Sequence, residues 1–175
     1  MATSPRTPLV EWSSEDAQQV IDAHAGMRGP LLPVLHALQE RFGYVDPRAV
    51  PLVARRLNLS RADVHGVITF YKDFRSEPPG AVQVRVCRAE ACQAMGGHEL
   101  AEHAKRSLGI DFGATTSDRT ATLDQVFCLG NCALAPSVTV DGRLHGRVDT
   151  ARFDALLSSA MREQAQRPVP GSASP

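Results

Sequence analysis

Apolar positions along this chain recur at two different periods, and the change falls near residues 76–81, at Ser-Glu-Pro-Pro-Gly-Ala. Before that point the period is helical. Ser13 or Ser14 can cap a helix carrying Ala17, Val20, Ile21 and Ala25, because a serine hydroxyl satisfies N–H groups that a first turn leaves open. Pro30 suits the first turn of a second helix, where its missing N–H costs nothing. Leu31, Leu35, Leu38 and Phe42 then share one helical face, with Gly43 as the stop. Asp46-Pro47 restarts a helix with Val50, Val53, Ala54 and Leu57. Ser60 and Asp63 have the spacing of a capping box for a fourth, bearing Val64, Val67, Ile68 and Tyr71. This half is predicted to be a small helical bundle.

Beyond the boundary the period drops to two. Val82, Val84 and Val86 alternate with Gln83 and Arg85, which predicts a strand over 81–86. Leu100, Ala104 and Leu108 mark a helix over 97–108, and residues 120–127 a second strand. Residues 137–140 and 143–148 flank Asp141-Gly142, a strong hairpin signal. A last helix from Thr150 carries Phe153, Leu156, Leu157 and Ala160. The predicted order is β-α-β-β-α, a mixed sheet with helices packed on it, so the whole is α+β. Residues 1–12, with Ser4, Pro5 and Pro8, are expected to be a loose arm, and 166–175 a Pro/Ser tail. Between them lie a helical domain over 13–77 and a second domain over 78–165. There is no internal repeat.

Composition narrows the function. The 19 basic and 19 acidic residues cancel, which argues against a nucleic-acid partner. No run approaches the roughly 20 apolar residues needed to span a bilayer. The start has no apolar signal core and turns acidic by Glu11. The expectation is a cytoplasmic protein without membrane insertion, and in the cytosol structural disulfides are rare.

The four cysteines therefore need another explanation. They form two pairs, Cys87-x4-Cys92 and Cys128-x3-Cys132, each at the end of a predicted strand. If the strands are neighbours, both loops leave one edge of the sheet and present four thiolates to one site, as a [2Fe–2S] cluster requires. A structural zinc site also takes four thiolates, although its pairs are most often Cys-x2-Cys. Two disulfides, or four unrelated buried thiols, are the remaining readings. Gly96, Gly97 and Gly130 leave room for backbone N–H groups to approach sulfur, or serve only as turns. No hydride or phosphate chemistry is visible, since the chain has neither Gly-x-Gly-x-x-Gly after a strand nor a phosphate loop. His98 and His103 lie five apart on one helix and read as surface residues. His24, His36, His65 and His145 are isolated.

The run Phe127-Cys128-Leu129-Gly130-Asn131-Cys132-Ala133-Leu134-Ala135-Pro136 resembles the second cysteine motif of the thioredoxin-like [2Fe–2S] ferredoxins. Cys87-Arg88-Ala89-Glu90-Ala91-Cys92 resembles the first. Gly43-Tyr44-Val45, Val64, Val67 through Tyr71, and Phe74 match the helical half, so the resemblance covers about residues 15–160. Within the family, Cys87 through Gln93 is most similar to the gamma subunit of soluble, molybdenum-containing, NAD-dependent formate dehydrogenases. The resemblance implies a thioredoxin-like second domain, with Pro136 near the place of a cis-proline. It implies one [2Fe–2S] cluster held by Cys87, Cys92, Cys128 and Cys132, and single-electron transfer without catalysis in this chain. The implied partners are an FMN- and NAD-binding flavoprotein subunit, docked partly on the N-terminal helices, and through it a molybdenum-containing alpha subunit. The equivalent subunit of a complex I-type NADH dehydrogenase or an NAD-linked hydrogenase is the alternative. A zinc-stabilised scaffold is the rival from another class. The thioredoxin redox motif Cys-x-x-Cys is absent, which excludes dithiol exchange.

Overall fold

Side-chain caps set where the helices of the first half begin. In the computed structural model, which describes residues 10–166, the Ser13 hydroxyl accepts from the Asp16 N–H at 3.3 Å and opens α1 (Ser14–His24). Helix α2 (Leu31–Phe42) stops at Gly43, whose φ of 84° is the left-handed closure. A 3₁₀ turn over Pro47–Ala49, capped by Asp46, leads into α3 (Val50–Leu57). Ser60 and Asp63 form the expected reciprocal capping box, each backbone N–H bonded to the other's side chain at 3.0 Å, and start α4 (Arg61–Phe70). Ile21, Leu35, Leu38, Phe42, Val53 and Val64 make the fully buried centre of this unit, which spans residues 10–78.

Two expectations need correction here. Tyr71 is not on the α4 face: the helix ends at Phe70, and Tyr71 takes extended backbone and is exposed. Val10 and Trp12, placed in the loose arm, pack against the helical core, with the Trp12 ring 5.1 Å from that of Phe42. An indole beside a buried phenyl ring holds this part of the chain down by apolar contact. The rest of the arm, residues 1–9, and residues 167–175 of the tail lie outside the described residues.

The second unit, residues 79–166, has the expected α+β order with additions. Strand β1 (Val82–Cys87) buries Val82, Val84 and Val86 on one face. A single turn, α5 (Glu90–Cys92), runs through a kink at Met95 and Gly96 into α6 (His98–Leu108). The predicted helix start at Gly97 thus sits at the exit of a kink, because Gly96 has φ 90°. Strand β3 (Ala121–Val126) pairs parallel with β1, and the intervening helix supplies the crossover that parallel strands need. Ahead of it lies a strand that periodicity missed, β2 (Ala114–Thr115), too short to have a period. β4 (Val138–Val140) and β5 (Arg143–His145) form the hairpin around Asp141 and Gly142, both with positive φ as a tight primed turn demands. The second hairpin strand ends at His145, short of the expected residue 148. The sheet order is β2-β3-β1-β4-β5, and α7 (Thr150–Ala165) shares a core with α6, where Leu100, Leu123, Phe153 and Leu157 meet the valines of β1. Among the described residues no helix is long and apolar enough to cross a membrane.

Asp46 gives the helical unit a pH dependence. Its carboxylate is 4% exposed and accepts from the Arg48 side chain at 2.7 and 2.9 Å, the Arg48 N–H at 2.8 Å and the Tyr44 hydroxyl at 2.8 Å. The Arg48 side chain is the main reason its carboxyl is held below the usual carboxylate range. A depressed pKa means stability that is present above the unfolded value of about 3.9 and lost as pH falls through the folded value. Asp46→Asn should cost about 1–2 kcal/mol at neutral pH, discounted because Arg48 is itself 66% exposed. It should also flatten the loss as pH falls below about 4. Urea midpoints of both proteins across that range check this.

Candidate metal centre

Parallel pairing of β1 with β3 puts the ends of both strands at one edge of the sheet, with Cys87 opposite Val126. Cys87 is the last residue of β1 and Cys92 closes the single turn α5. Cys128 follows β3, and Cys132 opens a 3₁₀ turn, Cys132–Leu134. All four are free thiols; Cys87 and Cys92 are buried, and Cys128 and Cys132 are exposed.

The thiols come in pairs. Cys128 Sγ and Cys132 Sγ are 3.9 Å apart. Two sulfurs about 2.3 Å from one tetrahedral metal lie about 3.8 Å apart, so this spacing is that of two ligands on one atom. Besides burial, the Cys92 thiol is raised by the neighbouring Cys87 and, more weakly, by Cys132. Cys132 in turn feels Cys128 first and Cys87 more weakly. Among the described residues, no three Cys, His, Asp or Glu side chains converge on one point. A [2Fe–2S] cluster takes its protein sulfurs two to each iron.

The electrostatics fit a cationic guest. Burial, then Cys87 alongside, pushes the Cys92 thiol up to about 11, against an opposing backbone N–H from Ser137. Cys128 beside it raises Cys132. Thiols that resist ionisation through burial and mutual repulsion become thiolates when a metal cation supplies the compensating charge.

Glycines shape both loops. Gly130, at φ 72°, donates its N–H to Cys128 Sγ at 3.3 Å, as expected for a residue between two candidate ligands. Cys128 itself sits at φ 126°, a conformation that costs energy outside glycine. Gly96 and Gly97 act differently. Gly96 turns the chain, and Gly97 allows a close approach: a Cβ there would meet the Cys92 carbonyl oxygen at 2.5 Å. The Ala135–Pro136 bond is cis, as the resemblance implied.

Pattern reading missed Ser137. Its carbonyl accepts from the Cys87 N–H at 3.0 Å, and the residue is 1% exposed. The only signal available was its position directly after Pro136. The histidines read as surface residues are not alike. His98 is exposed, but His103 Nε2 lies 2.7 Å from Asp154 Oδ1, its ring edge-on to Phe153, which makes it a tie between α6 and α7.

A sequence model of the thioredoxin-like [2Fe-2S] ferredoxins matches residues 17–161. The chain is similar to a subunit of the NADH-quinone oxidoreductase of Rhizobium meliloti, at 34% identity over 145 residues, covering 83% of this chain and 86% of that one. It is similar to the HndA subunit of the NADP-reducing hydrogenase of Solidesulfovibrio fructosivorans, at 34% over 140 residues, covering 80% and 82%. Among solved structures it resembles NAD+-reducing [NiFe]-hydrogenase in the air-oxidized state, with TM-score 0.65 and 25% identity over 79% of this chain. It spans 24% of the length of that hydrogenase chain.

Gly97→Ala should push Cys92 out of place. The expected outcome is a loss of about 1–3 kcal/mol in stability from overpacking, together with fewer irons retained per chain than in the wild type. Thermal unfolding and iron analysis of the same preparations check both.

Proposed function

Because the chain belongs to the thioredoxin-like [2Fe-2S] ferredoxin family, whose domain binds a [2Fe–2S] cluster, we propose that Cys87, Cys92, Cys128 and Cys132 are the ligands here. We further propose that the chain is the single-electron-carrying component of an NAD(P)-linked oxidoreductase complex. The observation that carries the reading is the arrival of two cysteine pairs at one edge of the β1–β3 sheet. When bound, the cluster supplies one-electron redox chemistry. The chain's own contribution is to bury Cys87 and Cys92, and to aim the Gly130 N–H at Cys128 sulfur, a bond that favours the more negative, reduced state.

The named relatives are subunits of NADH-quinone oxidoreductase and of a hydrogenase. They favour the alternative raised from the sequence over the formate dehydrogenase gamma subunit, which rests on residues 87–93 alone. An FMN- and NAD-binding flavoprotein subunit is the partner this reading requires. Cys128 and Cys132 are exposed, and Phe127 and Leu134 beside them are 74% and 41% exposed. Electrons would pass on that side, where an apolar partner surface excludes water. A molybdenum-containing partner belongs only to a formate dehydrogenase assembly, and co-purification with components of the parent complex separates the three assemblies.

Electron paramagnetic resonance of the purified chain, before and after dithionite, with iron and zinc counted, tests the ligand set. The expected result is a silent oxidised state, a rhombic S = 1/2 signal on reduction and about two irons per chain. Cys128→Ala should lose the signal. Full iron content in that variant would overturn the assignment of Cys128, and zinc without a signal would return the chain to a scaffold.

A further inference from the structure

Ser137 touches both halves of the cysteine site, and no element of the fold requires a hydroxyl there. It is 1% exposed and stands just before the apolar strand β4. A buried polar side chain persists where its hydrogen bonds are met. Its backbone serves the first pair: the carbonyl accepts from Cys87 N–H at 3.0 Å. Its side chain serves the loop of the second pair. Ser137 Oγ accepts from Asn131 Nδ2 at 3.1 Å and faces the carbonyl oxygens of Asn131 and Leu134, each at 3.4 Å, to which its single proton is shared. Asn131 lies between Gly130 and Cys132, so this hydroxyl holds the loop by its middle and by its exit.

The opposite side of the loop is closed as well. Arg147 N–H donates to the Leu134 carbonyl at 2.6 Å. A Cβ on Gly146 would meet Asn131 Nδ2 and Leu134 Cβ, both at 2.6 Å. Asn131 is therefore held between the bare Gly146 backbone and the Ser137 hydroxyl. That matters for Cys128, whose φ of 126° persists only where its surroundings enforce it.

We propose that Ser137 is a positioning residue that locks the Cys128–Cys132 loop onto the Cys87–Cys92 side of the site, through the contact of its hydroxyl with Asn131 and Leu134. The proposal rests on reading the four cysteines as ligands. Its consequence is that the second pair is presented in place before any metal arrives, and that the loop opens when the hydroxyl is removed.

The test uses the full chain with Ser137→Ala, which removes one oxygen without adding volume. In the cluster-free protein, amide hydrogen exchange over residues 128–134 should quicken about fivefold, the factor one ordinary hydrogen bond represents, while residues 82–87 stay unchanged. In the loaded protein, the visible absorbance should bleach about fivefold faster in air, and the resonance of the reduced state should broaden. Asn131→Ala, a change in a half-buried loop residue, should reproduce these effects and remains available if Ser137→Ala does not fold. The double variant should exceed neither single by much, because both break one contact. Unchanged exchange in either single variant, or additive effects in the double, would overturn the lock. A wild-type chain that binds no iron would instead overturn the ligand reading, and the exchange comparison would still judge the lock by itself.

Discussion

Parallel pairing between β1 and β3 is the constraint on which the rest of the second unit depends. Parallel strands need a long crossover, and here the crossover is made of α5, the kink, α6 and β2. Both strands then end at the same edge, and each releases its chain into a loop with two cysteines. An antiparallel pairing of the same strands would send the two loops to opposite edges. The six-residue register from Val82 against Ala121 to Cys87 against Val126 thus does for the site what no local motif can. The buried valines of β1 and Leu123 of β3 hold that register, since a slip by one residue would turn them out of the core.

The two loops solve their local problems differently. The first runs into helical structure at once: α5 places Cys92, and Gly97 lets the next turn close against its carbonyl. The second has almost no regular structure beyond one 3₁₀ turn, and it carries a cysteine in an unfavourable backbone conformation. Side-chain and backbone hydrogen bonds replace helix geometry there, from Gly130 to the Cys128 sulfur and from Ser137 and Arg147 to the loop carbonyls. The buried pair is set by packing, and the exposed pair by hydrogen bonds.

Much of this was legible in the chain. The Ser60–Asp63 cap, the Val82, Val84 and Val86 alternation and the Asp141-Gly142 turn are local signals whose physics needs no tertiary context. The cysteine pairing was legible because each pair closes a strand. β2 was not, because two residues have no period, and its place beside β3 is fixed only by pairing. Trp12 was hidden by the breakers before it, since what holds it is the Phe42 ring, thirty residues on. Ser137 and Asn131 were hidden because hydrogen bonds across a loop leave no repeat in a sequence. The parent complex is hard to read from the chain for a related reason. Residues between two ligands answer to the loop, whereas docking is decided by a surface whose counterpart lies in another chain.

The sheet ends in very short strands. β2 has two residues at one edge and β5 has three at the other, with Arg143 and His145 among them. Edges this brief offer no ladder of free N–H and C=O groups for another chain to extend. Adding a strand is therefore a poor route to unwanted self-association for this sheet, and equally a poor route to a partner. Whatever the unit joins, it is recognised by the side chains of its faces and loops, so exchanging one partner for another is a matter of surface substitutions that leave the sheet as it stands.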